Sequence, residues 1–234
     1  MTYFNYIVVG NYGWEADSER CPKLYRPGTK RFCQSWKAFP PNADHQLVVI
    51  DNNHGFDDEM WSWFDGIKYE VLHYDGGGWD TGAHQFFSYH VPPHEWMMCF
   101  STWAHFKEKD WFTAFVKARE QYGDTLYGST CSPENGFHIR GTGFMCKAIH
   151  VQHYPTVVSN RTLSRQFESG PTCLTARLQE LGNVYIVTKS GVHLPESALE
   201  LANGFRRGDQ SDLLTFDKYT DLYENGCLFQ GDAS

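Results

Sequence analysis

The chain has 234 residues, with 28 acidic against 20 basic side chains and a formal charge of −8. That balance excludes a broad electrostatic grip on nucleic acid, which needs clustered positive charge. No run of about 18 apolar residues occurs, so no membrane-spanning helix is predicted. The opening MTYFNYIVVG lacks the basic start and small-residue cleavage site of a signal peptide. Seven scattered cysteines with no CxxC pair predict a reducing, cytoplasmic setting. In that setting the Asn160-Arg161-Thr162 sequon is a chance match. No repeat, low-complexity tract or long linker divides the chain, which predicts a single domain over residues 1–234.

Taken in order, Tyr6 to Val9 is a short strand ended by Gly10-Asn11-Tyr12-Gly13. A loop carrying Pro22 and Pro27 follows, then a helix over Thr29 to Phe39 that Pro40-Pro41 stops. His45 to Asp51, HQLVVID, is a buried strand, and Asn52-Asn53-His54-Gly55 turns the chain. Asp57-Asp58-Glu59 opens a helix with an acidic first turn. Tyr69 to Tyr74 is the next strand. Asp75, Gly76, Gly77 and Gly78 end it, and Trp79-Asp80-Thr81-Gly82-Ala83 leads into a helix at about Gly82 to His90. Strand, glycine turn and helix start form an arrangement that can receive a phosphate on free N–H groups. The same pattern is also an ordinary capped turn.

Glu95 to Thr102, EWMMCFST, is a central strand, and Lys107 to Tyr122 has helical periodicity. Short strands are predicted at Tyr127 to Cys131 and Gly136 to Met145, a helix at Pro171 to Leu181, and a strand at Asn183 to Thr188. The tail is helical from Ser197, then irregular. Alternating strands and helices predict an α/β class with a mostly parallel, Rossmann-like sheet flanked by helices. Ligands of such sheets gather at the carboxyl ends of the strands. Those ends carry Gly10-Asn11, Asp51-Asn52, Asp75 to Asp80 and Ser101-Thr102.

The order IVVGNYG, LVVIDNN, a strand into GGGWDTGAHQFF, then WMMCFST resembles the nucleotide-binding half of a GT-A fold glycosyltransferase. Gly78 to Ala83 is similar to the G-x-D-x-G pattern of rhamnan-type polysaccharide glycosyltransferases. The resemblance covers about residues 6–102, with weaker extension to His138–Met145 and to Phe167-Glu168 before a helix. It implies a nucleotide-binding part at about 1–105 and an acceptor and catalytic part at about 106–234. It further implies transfer of a hexosyl or pentosyl group from a nucleoside-diphosphate sugar to a hydroxyl of a glycan, protein, small molecule or modified DNA base. Gly10, Asn11, Asp51, Asn52, Gly77, Gly78, Trp79, Ser101, Thr102 and Arg140 would bind the donor, and Asp80 or Glu168 would be the catalytic carboxylate. Each has a plain reading beside it: Asp51 as a turn cap, Asp80 as a dipole partner, Trp79 as packing, Glu168 as a solvated loop residue.

One departure from the family stands out. Many GT-A enzymes carry a DxD carboxylate pair for a divalent metal where this chain reads Ser101-Thr102. Neutral hydroxyls hold Mg²⁺ or Mn²⁺ poorly, so no required metal is expected. The fallback ligand set is Asp75, Asp80 and His193. The missing motif also admits a non-catalytic sugar-nucleotide or glycan-binding module. A methyltransferase would want a tighter G-x-G turn than Gly10-Asn11-Tyr12-Gly13 supplies.

Overall fold

The computed structural model describes residues 1–9, 20–201 and 210–216. Strand β1 (Thr2–Val9) lies inside the sheet, with alternate side chains entering two different cores. Phe4 and Tyr6 point to one layer and Ile7 to the other. Helix α1 (Arg20–Ala38) is longer than the Thr29–Phe39 expectation and runs through Pro27. Proline is a poor helix interior residue. Here the buried face of Phe32, Cys33 and Trp36 outweighs it, because packing of an apolar face supplies most helical stability. Strand β2 (His45–Asn52) follows, then α2 (Asp58–Ser62), whose N-cap Asp57 accepts the Met60 N–H at 2.9 Å.

Strand β3 (Glu70–Tyr74) is the edge, and α3 (Trp79–Ser88) starts three residues before the expected Gly82. Strand β4 (Trp96–Phe100) and α4 (Trp111–Tyr122) come next. The region beyond is strands β5 (Tyr127–Gly128), β6 (Cys131–Ser132), β7 (His138–Ile139) and β8 (Gly143–Lys147). Helix α5 (Ala148–Gln152) is followed by α6 (Arg161–Glu168), which the sequence reading lacked. Glu168 therefore closes a helix, in addition to preceding one. The sequon asparagine Asn160 is the N-cap of α6 and accepts the Leu163 N–H at 3.0 Å. Helix α7 (Leu174–Gln179), strands β9 (Tyr185–Val187) and β10 (Val192–His193), and α8 (Pro195–Leu201) complete the described elements.

The main sheet has eight strands in the order β10-β9-β5-β8-β4-β1-β2-β3. β3, β2, β1 and β4 pair in parallel, while β8 runs antiparallel to both β4 and β5. β9 is parallel to β5 and β10 antiparallel to β9. Six strands thus point one way, and β8 and β10 are reversed. One core lies against α1, α2 and α4 and is dense in aromatic rings. The other lies against α3, α5, α6, α7 and α8. A two-stranded ribbon, β6 with β7, stands apart from the sheet.

This topology decides what shares the functional rim. The carboxyl ends of β1, β2, β3, β4, β5 and β9 lie on one edge, and the reversed β8 brings its amino end there. Arg140 to Thr142, just before β8, therefore join Asp51-Asn52, Asp75 to Asp80 and Ser101-Thr102 on one rim.

Candidate functional site

The first turn of α3 is where the rim's segments meet. Asn53 and His54, after β2, both take left-handed backbone, with φ of 53° and 54°. They turn the chain so that the Asn53 N–H donates to the Tyr74 carbonyl at 3.0 Å. Asn53 Nδ2 donates to Asn52 Oδ1 at 2.8 Å and to the Gly76 carbonyl at 3.3 Å. Asn52 Nδ2 donates to the Trp79 carbonyl at 3.3 Å. Trp79 itself sits at φ 54°, a costly conformation for a bulky side chain, on the order of 1–3 kcal/mol. Asn52 thus helps hold a strained helix start, and the Arg161 guanidinium lies 5.0 Å from the Trp79 ring centre.

The glycines of the turn have a cause within the chain. A Cβ on Gly78 would come 2.0 Å from the Val158 carbonyl oxygen, and one on Gly77 would come 2.7 Å from that of Ser159. The segment before α6 packs directly on the glycine turn. The close approach that glycine permits is therefore made here by the protein's own backbone.

Asp51, 5 % exposed, sits one residue before the end of β2 with both oxygens engaged. Oδ1 accepts the Phe56 N–H at 3.3 Å, and Oδ2 lies 3.4 Å from His73 Nδ1. Thr102 is buried, and its hydroxyl donates to the Ile7 carbonyl at 2.6 Å. The Tyr6 phenol donates to the Thr102 carbonyl at 2.6 Å. Burial pushes the Tyr6 phenol well above its ordinary value, and the nearby Asp80 carboxylate adds to the rise. Asp80 lies in the first turn of α3. Gly10 and Asn11 lie outside the described residues.

The acceptor-side candidates gather at the same helix start. Thr81 Oγ1 donates to Ser164 Oγ of α6 at 2.8 Å. The Gly141 N–H donates to Glu168 Oε1 at 3.2 Å. Arg140, next in the chain, donates its N–H to the Thr130 carbonyl at 3.0 Å. Thr81, Gly141 and Glu168 line one crevice, whose other walls include Leu126, Phe144 and Phe167. The structure thus joins Asn52, Trp79, Asp80, the Arg140–Gly141 backbone and Glu168 around one helix start.

It does not join the fallback metal set. Asp75 follows the edge strand β3, and His193 lies in β10 at the opposite edge, seven strand spacings or on the order of 30 Å away. His193 Nε2 is 2.9 Å from Thr188 Oγ1 and 3.1 Å from Ser190 Oγ, whose hydroxyl donates to Asp212 Oδ2 at 2.7 Å. Among the described residues no group of three or more His, Cys, Asp or Glu side chains is placed to hold a metal. Just past the end of β4, the Thr102 hydroxyl is committed to the Ile7 carbonyl of β1.

Sequence reasoning missed Asn5, His84, Thr81 and Gly141. Asn5 and His84 are wholly buried and bonded to each other, Asn5 Nδ2 to His84 Nδ1, at 3.0 Å. The available sign was a lone amide inside the apolar run YFNYIVV, since a buried polar side chain needs a partner.

Solved structures share the fold. S. aureus TarS, residues 1–349, matches at TM-score 0.54 and 7% identity over 90% of this chain and 68% of that one. The fold is the GT-A-like fold of glycosyltransferases. A longer TarS structure matches this GT-A-like chain at 0.53 and 6% identity, over 90% of it and 41% of TarS. The mannosyltransferase PcManGT from Pyrobaculum calidifontis, in complex with GDP-Man and Mn²⁺, gives 0.47 and 9% identity over 66% of this chain. The chain spans about half of that enzyme's length, 46%. No family model and no curated protein matches the sequence. Among the described residues no helix is long and apolar enough to cross a membrane.

Proposed function

We propose that the protein transfers a hexosyl or pentosyl group from a nucleoside-diphosphate sugar to an acceptor hydroxyl. One observation carries the reading. On the carboxyl rim of a GT-A-like sheet, the first turn of α3 with Asp80 meets the Arg140–Gly141 backbone and the Glu168 carboxylate. Asp51, and Asn52 joined to that turn from β2, would take the nucleoside. Negative charge builds on the leaving diphosphate as the sugar departs. Arg140 and the N-terminal N–H groups of α3 would stabilise it. Glu168 or Asp80 would accept the proton of the attacking hydroxyl. Hydroxyls of Thr130 and Thr142, 3.4 Å apart on the same rim, suit a sugar's hydroxyl groups.

A sugar-nucleotide panel tests this by calorimetry and by transfer or donor hydrolysis. One donor should bind and turn over. Asp51→Ala should weaken its binding by about 1.5–3 kcal/mol, and Glu168→Gln should lower turnover roughly a hundredfold with binding kept. The engaged Thr102 hydroxyl and the missing carboxylate pair favour one second reading, a binding module without catalysis. Donor binding with neither transfer nor hydrolysis would select it. No binding across the panel would defeat both.

A further inference from the structure

A continuous chain of hydrogen bonds runs through the core behind Glu168. The Phe100 N–H at the end of β4 donates to Asn5 Oδ1 at 3.3 Å. A backbone N–H can only donate, so this contact orients the Asn5 amide and turns its NH₂ toward His84. His84 Nδ1, 3.0 Å away, must then accept. The ring proton is left on Nε2, which donates to the Gly141 carbonyl at 3.3 Å. The Gly141 N–H in turn donates to Glu168 Oε1 at 3.2 Å. Both peptide groups of Gly141 are thereby held, one by His84 and the other by the carboxylate.

We infer that His84 is a positioning residue, which through Gly141 holds the Glu168 carboxylate at the rim for proton transfer. The inference rests on the reading of Glu168 as the base. Burial drives His84 down to about 3, so the ring is neutral at working pH, and the chain of bonds selects its tautomer. The ring also stands edge-on to Phe144, with centres 5.3 Å apart at 87°. An apolar ring would meet that packing need alone. A wholly buried imidazole with both nitrogens bonded does more, because each bond specifies a direction that apolar contact does not. Reacting groups must be held to fractions of an ångström, and a misplacement of about 1 Å can cost a hundredfold in rate.

The test compares His84→Phe, which keeps a ring without nitrogens, with His84→Gln, whose amide can replace both bonds. Amide hydrogen exchange at Gly141 should speed up about tenfold or more in His84→Phe, while exchange at Met98 in β4 stays as in the wild type. The turnover number should fall between about tenfold and a hundredfold with the donor KM unchanged, and His84→Gln should recover most of it. A general loss of packing would instead move both amides together. Unchanged Gly141 exchange, unchanged turnover, or no recovery in His84→Gln overturns the inference. If His84→Phe does not fold, His84→Asn, too short to reach the Gly141 carbonyl, takes its place. A wild type without any transfer sinks the proposed function. The exchange measurement then still decides whether His84 holds Gly141 and the carboxylate.

Discussion

At the scale of single residues, the rim is built from side chains that serve the fold and the site together. Asn52 supports the strained Trp79, and Thr102 ties the end of β4 to β1. His84 has a consequence for stability as well as position. Its folded value of about 3 lies below the ordinary histidine value of about 6.5. Between those two values the unfolded chain binds a proton that the folded one refuses. Stability therefore rises with pH across that window, and is lost as pH falls from about 6.5 toward about 3, by a few kcal/mol. Urea midpoints measured from pH 7 to pH 4 should fall in the wild type, and His84→Gln should flatten part of that fall. Parallel curves for the two proteins would mean that His84 titrates normally.

At the scale of elements, the glycine turn and α6 act as one unit. The Val158 carbonyl occupies the place of a Gly78 side chain, and Asn160, two residues on, caps the helix that carries Glu168. Gly78 has φ −84°, so alanine there meets no backbone penalty, only the clash. Gly78→Ala should therefore destabilise the protein by about 1–3 kcal/mol through displacement of residues 158–160. Thermal unfolding reads this directly. Stability equal to the wild type would show that the segment yields without cost. Turnover should fall along with stability, because the same displacement moves the start of α6.

At the scale of the molecule, an eight-stranded sheet carries the nucleotide-side and acceptor-side candidates on a single rim. Its strand order also separates the residues that would have rebuilt a metal site, Asp75 at one edge and His193 at the other. With a threonine hydroxyl committed where a carboxylate pair would stand, the proposed transfer would leave the charge on a departing diphosphate to Arg140 and the start of α3. Any transfer activity should accordingly survive excess EDTA. Its complete loss, restored by Mn²⁺, would show that the donor's own phosphates recruit an ion with fewer protein carboxylates than such sites usually use.

The sequence by itself determined the class of fold and most of its strands. Runs such as HQLVVID and EWMMCFST are apolar because both faces of a central parallel strand are buried, and that pattern is local. It also placed Asp51 and Ser101-Thr102 at strand ends and Asp80 near a helix start. Helix α1 was legible only in part, because Pro27 is a local stop that burial of Phe32 and Trp36 overrides. Helix α6 was not legible, since RTLSRQFE buries only Ser164 and Phe167 and its cap reads equally well as a loop asparagine. Only the tertiary structure decided which distant residues meet. The reversal of β8 brings Arg140 and Gly141 to the rim, and residues 79 positions apart join as Asn5 and His84. No periodicity records such pairs, because a hydrogen bond between two buried side chains depends on the register of strands and helices that the whole sheet imposes.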